Sequence, residues 1–300
     1  MMRSAMLAVT NRKFTRKMIT DTRAGKAVAH RFVAGSTLEE AVDVARNLNA
    51  DGLKVSMDYL GEHVASIEEA DAATASYVAC VDEIRRNALD ANVSIKLTQL
   101  GMGLANDAAA RNLDAIAQAA HDAEITVTVD MEESEHTETT ISLYEVAQSK
   151  HGNLGIAIQA YLHRSPADIE RIAGLGGHIR LCKGAYAEPA EIAFQGKAVD
   201  EAYDGLAKLL MQTSAVIPAI ATHDDERIAV ALSQATTRSE PWEFQMLYGV
   251  RRDRQVDLAS HGHDMRVYVP YGEAWYPYLT RRMAERPANV GFFLRALAGK

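Results

Sequence analysis

Arg281 and Arg282 stand side by side near the C-terminus, in a run from about Glu273 to Arg286 whose apolar spacing predicts a helix. On a 3.6-residue period Tyr278, Arg281, Arg282 and Glu285 share one face, while Trp275, Leu279 and Met283 share another. Packed on its apolar side, such a helix presents two guanidiniums, a phenol and a carboxylate. Adjacent guanidiniums suit bidentate capture of a small carboxylate or phosphate. Taken alone, the same face reads equally well as a solvated charged surface. A second group gives it company: Lys96, Asp130, Gln159, Arg180, His223 and Tyr268 all fall in β-rich runs, on the polar side of each.

Those runs belong to a repeating rhythm of strand, turn and helix. Strands are predicted at Gly52–Leu60, Val93–Leu100, Ile125–Met131, Leu154–Leu162, His178–Lys183, Ile217–His223, Trp242–Leu247 and Met265–Val269. Helical patterns follow at Ile67–Leu89, Asp107–His121, Glu135–Lys150, Pro166–Ala173, Pro189–Met211, Asp225–Gln234 and, weakly, Arg251–Ser260, before the final helix. Alternating strand and helix calls for parallel strands with helical crossovers. The size fits an α/β fold of the (β/α)8 TIM-barrel type in a single domain spanning residues 1–300, with residues 1–50 as a helical lead-in; a doubly wound open sheet is the alternative. Strand alternation separates Val93, Ile95 and Leu97 from Ser94, Lys96 and Thr98, and the valines of Ile125–Asp130 from its threonines and Asp130. Likewise Ile179 and Leu181 oppose Arg180, and Val267 and Val269 oppose Arg266 and Tyr268. Plain barrels are filled by Val, Ile and Leu layers. A persistently polar inner face therefore means an interior that holds water, a ligand or an ion-pair plug. Buried charges there must be paired, and Lys96 with Asp130, on successive strands, is the expected pair.

Bulk properties narrow the classes. The chain has 300 residues, 48% hydrophobic and 24% charged, enough for a barrel-sized core. A net charge of -8 argues against a nucleic-acid partner. Cys80 and Cys182 lack metal or redox spacing, and no apolar run has the length of a signal-peptide core or a membrane span. A cytoplasmic location is the expectation. Basic residues between Arg3 and Arg31 form either a solvated helical face or a contact for anionic headgroups. Gly174–Gly177 precedes a strand and is no dinucleotide fingerprint, and neither His261/His263 nor His223/Asp224/Asp225 has a spacing that names a metal. Lys96 or Lys183 could form a Schiff base, but an acidic neighbour raises a lysine's pKa and suits it to holding an anion.

Three segments carry a resemblance: Ile179–Tyr186 (IRLCKGAY), Tyr268–Gly272 (YVPYG) and Tyr278–Glu285 (YLTRRMAE). Together they resemble proline dehydrogenase, the FAD-dependent enzyme family of proline catabolism, of the monofunctional bacterial type, over about Gly52 to Asn289. The resemblance implies a distorted (β/α)8 barrel whose last helix lies over the barrel mouth. It implies oxidation of L-proline to Δ1-pyrroline-5-carboxylate by hydride transfer to FAD, with electrons passed to a quinone at the membrane surface and the product taken by a separate pyrroline-5-carboxylate dehydrogenase. Carried over by position, Lys96, Arg281 and Arg282 bind the proline carboxylate, and Tyr268, Tyr278, Leu247 and Tyr186 wall the ring. Arg180 meets flavin N5, Asp130 holds Lys96, and Gln159 meets the isoalloxazine edge. Met131, Lys183, Gly184, Ala185, Thr222 and His223 hold the rest of the cofactor, and Glu62 pairs with Arg281 as a gate. Cys182 departs from the aliphatic residue common at its position. A Schiff-base or metal-dependent lyase and an amino-acid-binding sensor are the rival readings of the residues themselves.

Overall fold

The computed structural model describes residues 30–279. Eight parallel strands close into a barrel in sequence order: β1 (Lys54–Tyr59), β2 (Ala91–Ile95), β3 (Val127–Val129), β4 (Leu154–Gln159), β5 (His178–Cys182), β6 (Ile217–Ala221), β7 (Glu243–Leu247) and β8 (Met265–Tyr271). Closure between β8 and β1 is in continuous register from Lys54 opposite Arg266 to Tyr59 opposite Tyr271. Among the described residues eight complete helices accompany them: α1 (Leu38–Ala50) before β1, then α2 (Ile67–Arg86), α3 (Asn106–Asp122), α4 (Thr137–His151), α5 (Ser165–Ala173), α6 (Lys197–Gln212), α7 (Asp225–Ala235) and α8 (Arg252–Ser260) as crossovers.

The sequence sets the helix ends by ordinary capping chemistry. Thr37 and Glu40 form a capping box at α1, and Ser66 accepts from the Glu69 N–H at α2. The α6 pattern starts later than the sequence suggests, at Lys197 rather than Pro189. Residues 192–194 are drawn to the β4–α5 loop instead: His163 N–H donates to Ile192 O and Phe194 N–H to Tyr161 O. Those backbone bonds, followed by Gly196 at φ +58°, postpone the helix. Residues 275–279 begin the last helix, and Tyr276, Tyr278 and Leu279 pack with Phe32, Val33 and Leu60. Arg281, Arg282 and Glu285, which the sequence predicts in a helix, and the basic segment before residue 30 lie outside the described residues.

The apolar strand faces look outward beneath the helices. Val55, Met57, Val93, Ile95, Val127, Val129, Ile156, Ile179, Val267 and Val269 are fully buried there and supply the main stabilising burial. Inward faces are polar, and the barrel divides into two levels. Its lower half is a hydrogen-bonded plug. Asn92 Nδ2 donates to Thr126 and Thr128 hydroxyls, Thr128 Oγ1 meets His178 Nε2 at 2.6 Å, and Arg266 Nε donates to Glu243 Oε1 at 2.8 Å. Gly155 makes room for this plug, since a Cβ there would run into the His178 ring. Above the plug, toward the C-terminal ends of the strands, lies a cavity.

Burial drives the His178 pKa down from 6.5 to about 4, so the ring is neutral when folded at pH 7. The unfolded chain then binds a proton that the folded chain refuses, and stability is lost as pH falls from about 6.5 toward about 4. Urea unfolding at neutral pH and near pH 4.5 checks this: His178→Gln should lose less stability between the two conditions than the parent, by about 2–3 kcal/mol. Equal acid sensitivity in both proteins would contradict it.

Candidate active site

The inward residues of β1, β2, β3, β5 and β8 converge on one buried charge centre. Lys96 Nζ donates to Asp58 Oδ1 at 2.9 Å, to Asp130 Oδ2 at 3.3 Å and to the Tyr268 hydroxyl at 3.2 Å. Tyr268 in turn donates to Asp130 Oδ2 at 2.8 Å. Arg180 Nη1 donates to Asp130 Oδ1 at 2.5 Å and to Ser94 Oγ at 2.8 Å, Nη2 to Ser56 Oγ at 3.3 Å, and Nε to Gln245 Oε1 at 2.5 Å. A guanidinium carries five N–H groups. Among the described residues these contacts leave one N–H, on Nη2, without an acceptor. The same guanidinium lies 5.2 Å from the centroid of the Tyr268 ring.

The expected Lys96–Asp130 pair is present, but Asp58 is the nearer carboxylate. Together the three acceptors engage all three N–H groups of the ammonium. Burial disfavours the Lys96 charge, yet Asp58 and Asp130 outweigh it and hold the lysine pKa well above its usual value. It is therefore a permanent ammonium, unfit as a Schiff-base nucleophile. Asp130 is likewise penalised by burial, and the charges of Lys96 and Arg180 overcome this to keep it below the usual carboxylate range. Asp58 goes the other way. Its burial raises the pKa, the Asp130 charge adds to the rise, and the Lys96 charge only opposes it. Asp58 Oδ2 has no hydrogen-bond partner among the described residues.

Above this centre opens a cavity of about 630 Å³, in the range of small-molecule and cofactor sites. Glu62, from the loop after β1, lines it with Tyr186, Leu247, Tyr268 and Tyr278. Farther along the wall come Met131, Lys183, Gly184, Ala185, Thr222 and His223, all expected there from the sequence. Leu247 N–H donates to His223 Nε2 at 2.9 Å, which puts the proton of the neutral ring on Nδ1. Lys183 is engaged by Asp200 and, at 2.9 Å, by Asp224. Gln159 is not on the wall. It is buried, donating to Glu132 O at 2.9 Å and accepting from Ala185 N–H at 3.3 Å, so it holds the backbone of a residue that does line the cavity. Cys182 does line the cavity, where burial pushes its thiol up to about 11, a protonated and weakly nucleophilic state.

Asp58, Ser56 and Gln245 were not singled out from sequence, and Ser94 was placed on the polar face without a role. The signal existed: Lys54–Ser56–Asp58 and Glu243–Gln245–Leu247 alternate with apolar residues as plainly as the other strands. Of possible metal ligands, one group stands out among the described residues, His63, Glu132 and Glu133, with ligand atoms within 4.8 Å of one another. Both Glu132 oxygens already accept from Thr98, so the group is occupied as a loop brace. His263 packs against Trp242 and Phe244, and His261 caps its own helix through Asp257. No helix among the described residues is long and apolar enough to cross a membrane.

Comparison with known proteins agrees with this geometry. The family model for proline dehydrogenase matches residues 41–295. Proline dehydrogenase 1 of Bacillus subtilis is 42% identical over 276 residues, covering 91% of each chain. Proline dehydrogenase of Deinococcus radiodurans is 33% identical over 280 residues, covering 90% of each. The crystal structure of proline utilization A from Bdellovibrio bacteriovorus, inactivated by N-propargylglycine, superposes with a TM-score of 0.81 at 25% identity, over 87% of this chain and 33% of that one. A closed parallel barrel with a cation-and-hydroxyl centre, matched along most of its length to such relatives, leaves one conclusion: the chain belongs to the proline dehydrogenase family, the oxidoreductases that oxidise proline in its catabolism.

Proposed function

We propose that the cavity above Lys96 and Arg180 takes FAD along its Lys183–Thr222 wall and L-proline beneath the last helix, and that the reaction yields Δ1-pyrroline-5-carboxylate. The observation that carries this reading is the N–H left on Arg180 Nη2, next to a cavity with room for more than the substrate. The residues present suit a flavin. Thr222 offers a neutral hydroxyl with His223 beside it on the wall, Lys183 offers a cation for phosphate, and Gly184, at φ +126°, turns the backbone along the wall. An entering phosphate shares Lys183 with Asp200 and Asp224. Gln159 acts in this reading by fixing Ala185 and meeting the isoalloxazine edge, with Met131 adding a backbone contact.

A flavin held there would supply the acceptor for the hydride of the ring carbon beside the proline nitrogen. The protein's task is placement. Tyr186, Leu247, Tyr268 and Tyr278 wall the ring, and Arg180 presents positive charge where the electron-rich cofactor needs it. Asp130 keeps Lys96 and Arg180 in fixed relation, being bonded to both. The centre of Lys96, Arg180, Asp58 and Asp130 holds two bases and two acids, so it offers little net attraction to a carboxylate. Arg281 and Arg282 supply that attraction, with Lys96 contributing once a donor is released from Asp58 or Tyr268. Glu62 pairs with Arg281 when the site closes. The amine proton leaves to water. In the cell, a quinone receives the electrons, a separate pyrroline-5-carboxylate dehydrogenase takes the product, and the protein is cytoplasmic with contact to the inner membrane face. The whole chain of 300 residues works as one catalytic domain, residues 1–50 being its lead-in.

Purified protein reconstituted with FAD should show a flavin spectrum, and anaerobic proline should bleach it; a protein that neither binds FAD nor responds to proline would overturn the proposal. Arg281→Met and Arg282→Met should each weaken proline binding by about 2–5 kcal/mol, the usual loss for a buried charge contact, and unchanged half-saturation in both would remove their carboxylate role. For Arg180→Met, stopped-flow traces should show slower flavin reduction with proline binding little altered.

A further inference from the structure

Glu243 and Gln245 are successive inward residues of β7, and both are buried. Hydrogen bonds run through them in one line. Arg180 Nε donates to Gln245 Oε1 at 2.5 Å, Gln245 Nε2 donates to Glu243 Oε1 at 2.6 Å, and Arg266 Nε donates to that same oxygen at 2.8 Å. Arg266 Nη1 ends the line on Val55 O at 2.8 Å. Arg180 belongs to β5, so the contact to Gln245 passes over β6. It can do so because the inward residues of β6 beside them are alanines: Ala219 is the register partner of both Arg180 and Glu243, and Ala221 is that of Gln245.

The chemistry of the partners fixes the direction of this line. Guanidiniums only donate and an ionised carboxylate only accepts. Burial works against the Glu243 charge, but Arg266 outweighs it and holds the carboxyl below its usual range, so Glu243 is an anion. The Gln245 amide must therefore turn its NH2 to Glu243 and its oxygen to Arg180. The opposite orientation would set NH2 against a guanidinium and a carbonyl against a carboxylate. Asp130 and Ser94 hold Arg180 at Nη1. Ser56 adds a longer bond of 3.3 Å at Nη2, so without Gln245 only the outer end of the guanidinium is held and its Nε edge can still tilt. A second hold at Nε removes the freedom.

We propose that Gln245, set by Glu243, is a positioning residue for proline oxidation, fixing the plane in which Arg180 faces the cofactor. This rests on the reading of Arg180 as the group that meets the flavin. Gln245 needs no contact with proline to act in this way; its effect passes through Arg180.

The test uses the FAD-loaded full chain. Gln245→Leu removes the acceptor at Arg180 Nε. It should slow flavin reduction by proline about tenfold, as expected for a lost hydrogen bond to a charged group, with half-saturation for proline little changed. The midpoint potential of the bound flavin should shift negative, in the same direction as in Arg180→Met. The exchanged pair Glu243→Gln/Gln245→Glu rebuilds every bond: the new amide donates to the new carboxylate, which accepts from Arg180, while Arg266 donates to the amide oxygen. It should reduce its flavin several-fold faster than Gln245→Leu. If Gln245→Leu does not fold, Gln245→Met, of similar volume and likewise without an acceptor for Arg180 Nε, takes its place in the comparison. An unshifted potential and parent-like reduction rate in the single variant, or an exchanged pair no faster than it, would overturn the positioning role. Failure of Arg180→Met to alter rate or potential would instead overturn the reading of Arg180 itself.

Discussion

A guanidinium buried in the middle of a barrel is the constraint around which this structure is built. Arg180 is 6% exposed, and an ion so placed costs several kcal/mol unless its donors and its charge are met. Asp130 meets the charge, and Ser94, Ser56 and Gln245 meet donors from three other strands. Space has to be made as well. Its register partners on the neighbouring strands are Ala157 and Ala219, the smallest side chains that keep a Cβ. The layers of branched aliphatics that fill ordinary barrels are absent for this reason: they would leave the cation dry and unpaired.

The second cation is treated differently. Lys96 has every donor engaged, by two carboxylates and a phenol, whereas Arg180 keeps one N–H in reserve. Equal numbers of acids and bases make the centre rigid and close to neutral. A rigid neutral floor orients a substrate but does not draw an anion strongly. Charge for a carboxylate has to arrive from above, which gives the arginine pair of the last helix its purpose in the proposed site. Tyr278, in the described first turn of that helix, lines the cavity.

Below the floor, the polar plug of Asn92, Thr128, His178, Glu243 and Arg266 separates chemistry from solvent at the other end of the barrel. It also ties the floor to the scaffold, since Glu243 reaches Arg180 through Gln245. Polar interiors of this kind are stable only when their groups are satisfied together. Asp58 Oδ2 is an exception among the described residues, and it lies in the carboxyl whose pKa burial raises.

Much of this was legible in the residues. Period-two alternation in Val93–Thr98, in Ile125–Asp130 and around Arg180 and Tyr268 marked which side chains face inward, because a strand has only two faces. Eight strand–helix repeats gave the barrel, since parallel neighbours need helical crossovers. Strand ends were read too long at β2 and β3, and α6 too early, because backbone pairing with residues distant in sequence decides where regular structure stops. Alternation put Gln159 on the inward face, but its partners, Glu132 O and the Ala185 N–H, come from loops whose return only the tertiary structure decides.

The sequence by itself determined the α/β repeat, the polar lining and the residue types able to clamp a small acid. Only the tertiary structure decided the pairings: Asp58 as the nearer partner of Lys96, Gln245 reaching Arg180 across two alanines, and a barrel that is plug below and cavity above. Alternation along one strand tells which way a side chain points, but not how far the neighbouring strands are staggered. That stagger sets which inward residues share a level, and hence which charges meet.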